Sequence, residues 1–225
     1  NSLVTGWTAG APLQLSKFSP AGALLWQRSL TTLGAASRSL GLVTDAAGNS
    51  IVSGFVVDAA GVPQAAVVAK VDAAGRLRWQ DVTAGRFNIA WRAAADTAGH
   101  VYALSRLTRP DTGTAVVTDM VLTKFSPAGA RLWTRTYGAA FADEGALIVT
   151  STGQVVVAGG ATGGAVLAAF DAAGTALWTR SWPGFNSLAL AAGRTREFYA
   201  VGGAGQGFHV LKFDAARNLS WSHAY

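Results

Sequence analysis

The chain has 225 residues, of which 50% are hydrophobic and 13% are charged, and it contains no cysteine. This composition excludes a disordered chain, disulfide bonds and thiolate metal sites, and no apolar stretch is long enough for a transmembrane helix. Eighteen basic against twelve acidic residues give a net charge of +6, but the basic residues are scattered singly, so no specific nucleic-acid site is predicted.

The first residues of the chain already belong to a repeat. Residues 1–7 (NSLVTGW) match residues 49–55 (NSIVSGF), which follow an apolar strand and a turn. We therefore expect the first repeat to begin inside a turn and to lack its innermost strand. The first strand that is present, residues 2–7, would then have an open edge. It carries no proline or charge, and such an edge is prone to pair with another chain.

A ten-residue segment that ends on tryptophan recurs five times. The copies are 17–26 (KFSPAGALLW), 70–79 (KVDAAGRLRW), 124–133 (KFSPAGARLW), 169–178 (AFDAAGTALW) and 212–221 (KFDAARNLSW). An apolar residue precedes each tryptophan by eight positions, and successive tryptophans lie 43 to 54 residues apart. This period is typical of one four-stranded propeller blade.

A second segment recurs between these copies, at 42–55, 93–106, 147–160 and 188–203. Each consists of an apolar run, a glycine-containing turn and another apolar run, which is the pattern of a β-hairpin. In the second repeat the four strands are predicted at 40–45, 50–55, 66–71 and 77–82.

The repeats predict an all-β protein, a β-propeller of about five blades of four antiparallel strands, with the first blade lacking its innermost strand. One domain covers 1–225, with blades at approximately 1–30, 38–83, 91–137, 144–182 and 186–225. We expect it to be part of a longer chain.

The fourth repeat, YGAAFADEGALIVTSTGQVVVAGG followed by VLAAFDAAGTALWTRSW, resembles bacterial β-propeller repeats of the SBBP type. Its Asp143 and Glu144 match the acidic entry of those repeats, whereas the other copies have Arg38, Arg92 and Asn186 nearby. The resemblance implies a propeller in a secreted or envelope-associated bacterial protein. It implies no single activity, because a fold does not fix a function.

The D-A-x-x-G-x-x-x-W core is also similar to the tryptophan-docking motif of pyrroloquinoline-quinone dehydrogenases. Those enzymes have eight larger blades and hold their cofactor through Ca²⁺ with acidic and cysteine ligands. This chain has no cysteine and about five predicted blades, so we expect no quinone. We expect no other cofactor either.

Residues that recur at one repeat position are predicted to be structural. The five tryptophans can fill the wedge between neighbouring blades. The turn glycines fit a type I turn followed by a left-handed residue, and Arg217 replaces the glycine in the last copy. One position holds all four lysines of the chain, whose ammonium groups can reach carbonyls or a turn carboxylate such as Asp72 or Asp214: Lys17, Lys70, Lys124 and Lys212.

We expect no catalytic residue and no metal site. His100, His209 and His223 fall in different repeats and different strands, so a shared metal site is not predicted. Asp143 and Glu144 are the only adjacent acids. They can serve acid–base chemistry or bind Ca²⁺, but no third acid is near them in sequence.

The irregular connections on one face of the propeller are the predicted binding surface, because loops on a rigid frame are where binding evolves. The longest connection is residues 106–119, with Arg106 and Arg109. The irregular connections carry aromatic, amide, acidic and basic side chains, which suit the binding of a saccharide or a peptide. Alternatively, the aromatic side chains only cover the tops of the blades. The candidate ligand-binding residues are Trp7, Phe87, Trp91, Arg106, Tyr137, Phe141, Asp143, Glu144, Trp182, Phe185 and Asn186.

These observations favour a non-enzymatic propeller that serves as a scaffold or binding module of a secreted or cell-surface bacterial protein. The alternatives are a five-bladed carbohydrate-binding lectin and a channel-site enzyme, such as a lyase or lactonase. We expect a protein or polysaccharide partner, self-association through the open edge of the first blade, and a location outside the cell or in its envelope.

Overall fold

The computed structural model describes residues 1–8, 10–31, 36–108, 118–137, 145–161, 164–185, 189–193, 196–204 and 207–225. These residues form nineteen strands in five antiparallel sheets. The first sheet has three strands, β1 (Ser2–Gly6), β2 (Gln14–Phe18) and β3 (Leu24–Ser29). None of the described residues belongs to a helix that could cross a membrane.

The other four sheets have four strands each. The second contains β4 (Ser37–Thr44), β5 (Ser50–Val57), β6 (Pro63–Val71) and β7 (Leu77–Ala84). The third contains β8 (Ile89–Ala95), β9 (Val101–Thr108), β10 (Thr118–Phe125) and β11 (Arg131–Tyr137). The fourth contains β12 (Gly145–Val149), β13 (Val155–Ala161), β14 (Gly164–Phe170) and β15 (Ala176–Pro183). The fifth contains β16 (Ala189–Ala192), β17 (Phe198–Ala204), β18 (Gly207–Phe213) and β19 (Leu219–Ala224).

The sheets are the blades of a β-propeller. Within each sheet the spatial order of the strands follows the chain. The first strands of neighbouring four-stranded sheets, β4, β8, β12 and β16, contact one another in sequence, and β1 contacts β4. This arrangement confirms the predicted fold, including the three-stranded first blade. Among the described strands, none of the first blade packs broadly on any of the fifth.

The last hairpin of each blade has the predicted turn. In the third blade the Gly129 N–H donates to the Ser126 carbonyl at 2.9 Å, and Gly129 has φ 92°. The pairing of β10 with β11 then shifts between Lys124 and Phe125. A type I turn followed by a left-handed residue and a bulge gives the strands their required twist, and glycine adopts the left-handed conformation at no steric cost.

The hydrophobic core is a row of layers between blades. Among the described residues, three clusters of buried residues each join two neighbouring sheets, and a fourth joins the second, third and fourth sheets. For example, Tyr102 and Leu104 of the third blade pack with Val157 and Phe170 of the fourth. Each blade therefore depends on its neighbours to bury its apolar faces, as in other repeat proteins.

A recurrent contact, here called the Trp–turn contact, joins successive blades. The indole N–H of Trp26 donates to the Ala73 carbonyl of the next blade at 3.2 Å. Trp79 reaches the Pro127 carbonyl at 3.0 Å, and Trp133 reaches that of Ala172 at 3.1 Å. These tryptophans lie between blades, as predicted.

The lysines strengthen the same junctions. Lys17 donates to the Ala73 carbonyl at 3.1 Å, and Lys124 donates to that of Ala172 at 3.0 Å. Lys70 donates to the Gly99 carbonyl of the next blade at 3.4 Å and also forms a 2.9 Å ion pair with Asp45, a partner that the sequence did not suggest. The ammonium groups of these three lysines therefore reach turn carbonyls, as predicted, and that of Lys70 also reaches a carboxylate other than the two suggested.

Candidate functional site

A cleft opens between the first and second blades, on the face that carries the irregular connections. Its volume is about 480 Å³, within the range of small-molecule sites in proteins. We call it the blade 1–2 cleft. Its lining residues come from the connection after β1, the start of β4 and the turn after β5: Trp7, Thr8, Gly10, Ala11, Ala36, Ser37, Arg38, Val57, Asp58, Ala59, Ala60 and Gly61.

Trp7 and Arg38 provide the exposed chemistry of the cleft. Trp7 directly follows β1, and its side chain is 45% exposed. Arg38 pairs with Phe55 across β4 and β5, and its guanidinium carbon lies 4.2 Å from the centre of the Trp7 ring. A cation at this distance from an indole face is attracted by the ring quadrupole. The contact places the guanidinium, with its N–H donors, over the ring of Trp7.

The second-blade wall of the cleft is a tight turn organised by Asp58. One carboxylate oxygen accepts the backbone N–H groups of Ala60 and Val62, each at 2.9 Å. The other accepts the side-chain amide of Gln64 at 2.8 Å. Both oxygens are therefore engaged in shaping the turn, so Asp58 is a structural group of the wall.

The third-blade candidates form a group at the rim of that blade. The Arg106 guanidinium lies 5.9 Å from the Trp91 ring, and its Nε donates to the Phe87 carbonyl at 3.4 Å. Trp91 is only 4% exposed and belongs to the core. Neighbouring Asn88 is buried and bonds the carbonyls of Thr83 and Ala84 and the N–H of Thr108. These contacts hold the rim of the third blade in place, and little of the Trp91 side chain is exposed to a ligand.

The remaining described candidates lie at two other blade junctions. Tyr137 packs edge-on against Phe170, and burial raises the pKa of its hydroxyl although the charge of Arg135 opposes the shift. Trp182 packs edge-on against Phe213. Phe185 is buried in the layer between the fourth and fifth blades. The structure therefore does not bring the predicted residues into one site.

Four of the predicted site residues lie outside the described residues: Phe141, Asp143, Glu144 and Asn186. The same holds for Arg109.

The described inner strands β4, β8, β12 and β16 carry no aspartate, glutamate or histidine. Arg92 is exposed on β8, and its guanidinium donates to the carbonyls of Leu40 and Trp91 at 2.8 and 3.0 Å. It therefore ties β8 to β4. Across the described ranges, no three acidic or histidine side chains converge on a metal position.

Polar side chains cluster in the turns of the opposite face. His100 lies 2.9 Å from an oxygen of Asp96, which also accepts the Tyr102 hydroxyl at 3.3 Å. Burial and the Asp96 charge raise the pKa of Tyr102. At the equivalent turn of the second blade, Asn49 contacts Asp45 in the same way. The His100–Asp96 pair is therefore a variant of a turn contact rather than a catalytic dyad.

Arg38 is the cleft residue that the sequence did not single out. The signal was available, because Arg38 stands near the position that holds Asp143 and Glu144 in the fourth repeat. A change of charge at one repeat position marks a departure from the repeat pattern. Only the structure shows that this side chain contacts Trp7, 31 residues away.

No family model and no curated protein matches the chain, but solved structures are similar. A point mutant of Synechocystis apocarotenoid oxygenase is 10% identical with a TM-score of 0.57, over 99% of this chain and 57% of that chain. A GH43_1 enzyme from Xanthomonas citri complexed with xylose is 13% identical with a TM-score of 0.51, over 83% and 73%. A Fusarium graminearum α-L-arabinofuranosidase with an iminosugar inhibitor is 11% identical with a TM-score of 0.54, over 90% and 66%.

These comparisons correct the expected function. All three similar structures are enzymes, so the prediction of a non-enzymatic scaffold or binding module is wrong, and the enzymatic alternative fits better. At 10–13% identity the likeness shows the fold alone. The chain spans little more than half the length of the oxygenase.

Proposed function

We propose that the chain is the propeller unit of a carbohydrate-active enzyme and that the blade 1–2 cleft binds saccharide. The observation that carries the proposal is the half-exposed indole of Trp7 beside the guanidinium of Arg38, in a cleft of about 480 Å³. Two of the similar structures hold a sugar or a sugar analogue, which supports this class of ligand.

The chemistry of the cleft suits a sugar ring. One face of a pyranose or furanose consists largely of C–H groups, and a flat indole offers apolar surface against which it can stack. The hydroxyl groups at the ring edge need hydrogen-bonding partners when they leave water. A guanidinium presents five N–H donors in a fixed plane. Trp7 and Arg38 therefore supply the apolar and polar parts of one binding site.

Catalysis requires groups beyond the cleft. Glycoside hydrolysis uses two carboxylates on either side of the scissile bond, and the described inner strands carry none. The adjacent pair Asp143 and Glu144 immediately precedes Gly145, the first residue of inner strand β12. This pair is the one to substitute in testing for turnover.

The resemblance to bacterial propeller repeats supports placing such an enzyme outside the cell or in the envelope. There the substrate would be a polysaccharide. The net charge of +6 would attract an acidic polysaccharide over a neutral one.

Binding is tested by titrating the chain with xylose, arabinose and their oligomers while tryptophan fluorescence is recorded. We expect saturable binding that Trp7→Ala and Arg38→Ala each weaken by about tenfold or more. Arg86→Ala is the matched control, because Arg86 also lies over an aromatic ring, at 4.6 Å from Phe87, but away from the cleft. If Arg38→Ala and Arg86→Ala weakened binding equally, the blade 1–2 cleft would not be the saccharide site.

Turnover is tested with aryl xylosides and arabinofuranosides. We expect release of the aryl group by the unsubstituted chain and loss of release in the double variant Asp143→Asn, Glu144→Gln, with saccharide binding retained. Binding without turnover of any glycoside would overturn the enzymatic part of the proposal and leave the lectin.

A further inference from the structure

Another cavity lies on the opposite face of the propeller, between the second and third blades. Its volume is about 360 Å³, at the lower end of the range for small-molecule sites in proteins. The turns after β4, β6, β8 and β10 line it, together with the start of β7. We call it the blade 2–3 pocket. Its charged lining residues are Asp45, Lys70, Asp72 and Arg78.

The pocket coincides with a change in the contacts between blades. At the junctions on either side, the lysine and the tryptophan of one blade donate to the same carbonyl of the next turn, that of Ala73 or of Ala172. Between the second and third blades, Trp79 donates to the corresponding Pro127 carbonyl at 3.0 Å, but Lys70 donates elsewhere. The ammonium group is thereby separated from the tryptophan, and both Lys70 and Pro127 line the pocket.

Lys70 is a buried cation with a donor to spare. Its side chain is only 6% exposed, and its ammonium forms a 2.9 Å ion pair with Asp45. Its contact with the Gly99 carbonyl is long, at 3.4 Å. An ammonium group carries three N–H donors. With these two partners among the described residues, one donor remains for a ligand.

Arg78 brings a second cation to the pocket. Its Nη1 lies 3.9 Å from an oxygen of Asp72, which is too far for a hydrogen bond, and its side chain is 60% exposed. The same carboxylate oxygen already accepts the guanidinium of Arg76 at 2.9 Å. Arg76 therefore compensates the charge of Asp72, and the N–H donors of Arg78 remain for another partner.

The two carboxylates of the pocket have little capacity left to accept hydrogen bonds. In Asp45, one oxygen accepts two backbone N–H groups of its turn, and the other accepts the Asn49 amide and the Lys70 ammonium. In Asp72, one oxygen accepts two backbone N–H groups, and the other accepts the Arg76 guanidinium. A carboxylate oxygen has two lone pairs. The pocket therefore offers donors and few acceptors, which suits a ligand made mostly of acceptors.

We propose that the blade 2–3 pocket binds an oxyanion between Lys70 and Arg78, either the carboxylate of an acidic sugar or a free phosphate. Both cations would donate charge-assisted hydrogen bonds to such a group, and these are stronger than hydrogen bonds between neutral partners. The pocket of about 360 Å³ has room for more than a bare phosphate, so the sugar acid should bind more tightly. The pocket lies on the face opposite the blade 1–2 cleft, and the proposal does not depend on saccharide binding there.

Binding is tested by isothermal titration calorimetry at low ionic strength, because salt screens an exposed guanidinium. The ligands are glucuronate, inorganic phosphate and glucose, and the titrations are repeated with Arg38→Ala, which disables the blade 1–2 cleft. In that variant glucuronate should bind at least tenfold more tightly than glucose, which has the same ring without the carboxylate. Phosphate as tight as glucuronate would support the site and make free phosphate its ligand. Glucose as tight as glucuronate would overturn the proposal.

Substitution of Arg78 locates the site. Arg78→Gln should weaken the binding of glucuronate and of phosphate by about tenfold or more, because it removes charge-assisted hydrogen bonds. Arg180→Gln is the matched control, since it removes the same charge from β15, the outer strand of the fourth blade, away from the pocket. Equal weakening by the two substitutions would overturn the proposal. Glucuronate binding that is lost in Arg38→Ala and kept in Arg78→Gln would also overturn it, since the acidic sugar would then lie in the blade 1–2 cleft.

Asp45→Asn provides a readout in the opposite direction. It removes a negative charge from the pocket and releases the Lys70 ammonium from its ion pair, so it should tighten phosphate binding by about threefold or more. Phosphate should also raise the melting temperature of this variant more than that of the unsubstituted chain, because the bound anion takes over the role of the carboxylate. Weaker phosphate binding by folded Asp45→Asn, or a chain that binds neither anion, would overturn the proposal.

Discussion

Turn glycines act in two ways in this protein, and only one of them depends on a neighbouring blade. Gly129 and Gly153 both have positive φ, 92° and 77°. An added Cβ at Gly153 meets nothing within 4 Å, whereas one at Gly129 would lie 2.5 Å from Trp79. A substitution would introduce left-handed backbone strain at both positions. Only at Gly129 would it also displace a tryptophan.

Gly129→Ala should therefore lower the free energy of unfolding by about 3 kcal/mol, because it adds the loss of the Trp79 contact to the left-handed strain. Gly153→Ala should cost only about 1 kcal/mol, the strain by itself. Urea denaturation of the two variants measures the difference. Equal losses would mean that the Trp–turn contact contributes nothing to stability.

Asp45 and Lys70 form the buried ion pair of the second blade, with side chains only 2% and 6% exposed. Burial opposes ionisation of Asp45, but hydrogen bonds from Asn49 and Lys70 and the Lys70 charge outweigh it, so its pKa lies below the usual value. A carboxylate with a lowered folded-state pKa contributes stability above its unfolded pKa of about 4. That contribution is lost as the pH falls through the folded-state pKa.

Asp45→Asn should cost about 3 kcal/mol at neutral pH, because the Lys70 ammonium would remain buried without a carboxylate. The variant should also lose less stability than the unsubstituted chain when the pH is lowered from 5 to about 2. Asp58→Asn is the control, since Asp58 accepts the same two turn N–H groups but has no ion pair among the described residues. Thermal unfolding across this pH range is the measurement, and parallel pH profiles for all three proteins would contradict the assignment.

The partners of individual residues were harder to predict than their positions. The repeat alignment placed all four lysines at one site and assigned them carbonyl or carboxylate partners. It did not show that the carbonyls belong to the next blade, 56 residues away for Lys17 and 48 for Lys124. Such contacts depend on the geometry between blades, which a repeat period does not contain. The pairing of Arg38 with Trp7 was missed for the same reason.

Strand ends show a similar limit at the scale of the element. The second blade was predicted to have strands at 40–45 and 66–71, but β4 begins at Ser37 and β6 at Pro63. Residues 37–39 are Ser-Arg-Ser, so hydrophobicity does not mark them as a strand. They are held instead by backbone pairing with Val56, Phe55 and Gly54. Apolar patterning finds the buried middle of a strand and not its polar ends.

The junction between the fourth and fifth blades is the one where the Trp–turn contact is altered. Arg217 replaces the turn glycine, and it keeps a positive φ of 71°. Its guanidinium Nε donates to the side-chain oxygen of Gln154 at 2.9 Å. Trp178 stacks on Phe198 and Phe213 instead, and its buried indole N–H has no partner among the described residues.

Arg217→Gly should restore the contact and raise the free energy of unfolding by about 1 kcal/mol. The gain comes from relief of left-handed strain and from satisfying a buried donor, less the lost bond from Arg217 to Gln154. Arg217→Ala keeps a Cβ at the crowded position and removes only that bond, so it should be neutral or destabilising. Stabilisation by both substitutions alike would show that the bulk of the arginine, and not the missing contact, weakens this junction.

The blades differ in how many apolar layers cover them. The second blade contributes to three of the four clusters and the third and fourth blades to two each, whereas the first and fifth contribute to one. Opening the third blade would expose two layers, and opening the fifth would expose one. In repeat proteins stability is approximately a sum of repeat terms and nearest-neighbour terms. The end blades should therefore open at a lower free energy than the middle of the chain.

Amide hydrogen exchange tests this order. Amides of β9 and β10 should exchange only through global unfolding, and those of β17 and β18, at the equivalent strand positions, should exchange through a smaller opening of the fifth blade. Equal protection of the two pairs of strands would mean that the ends of the chain are covered and that all blades unfold together.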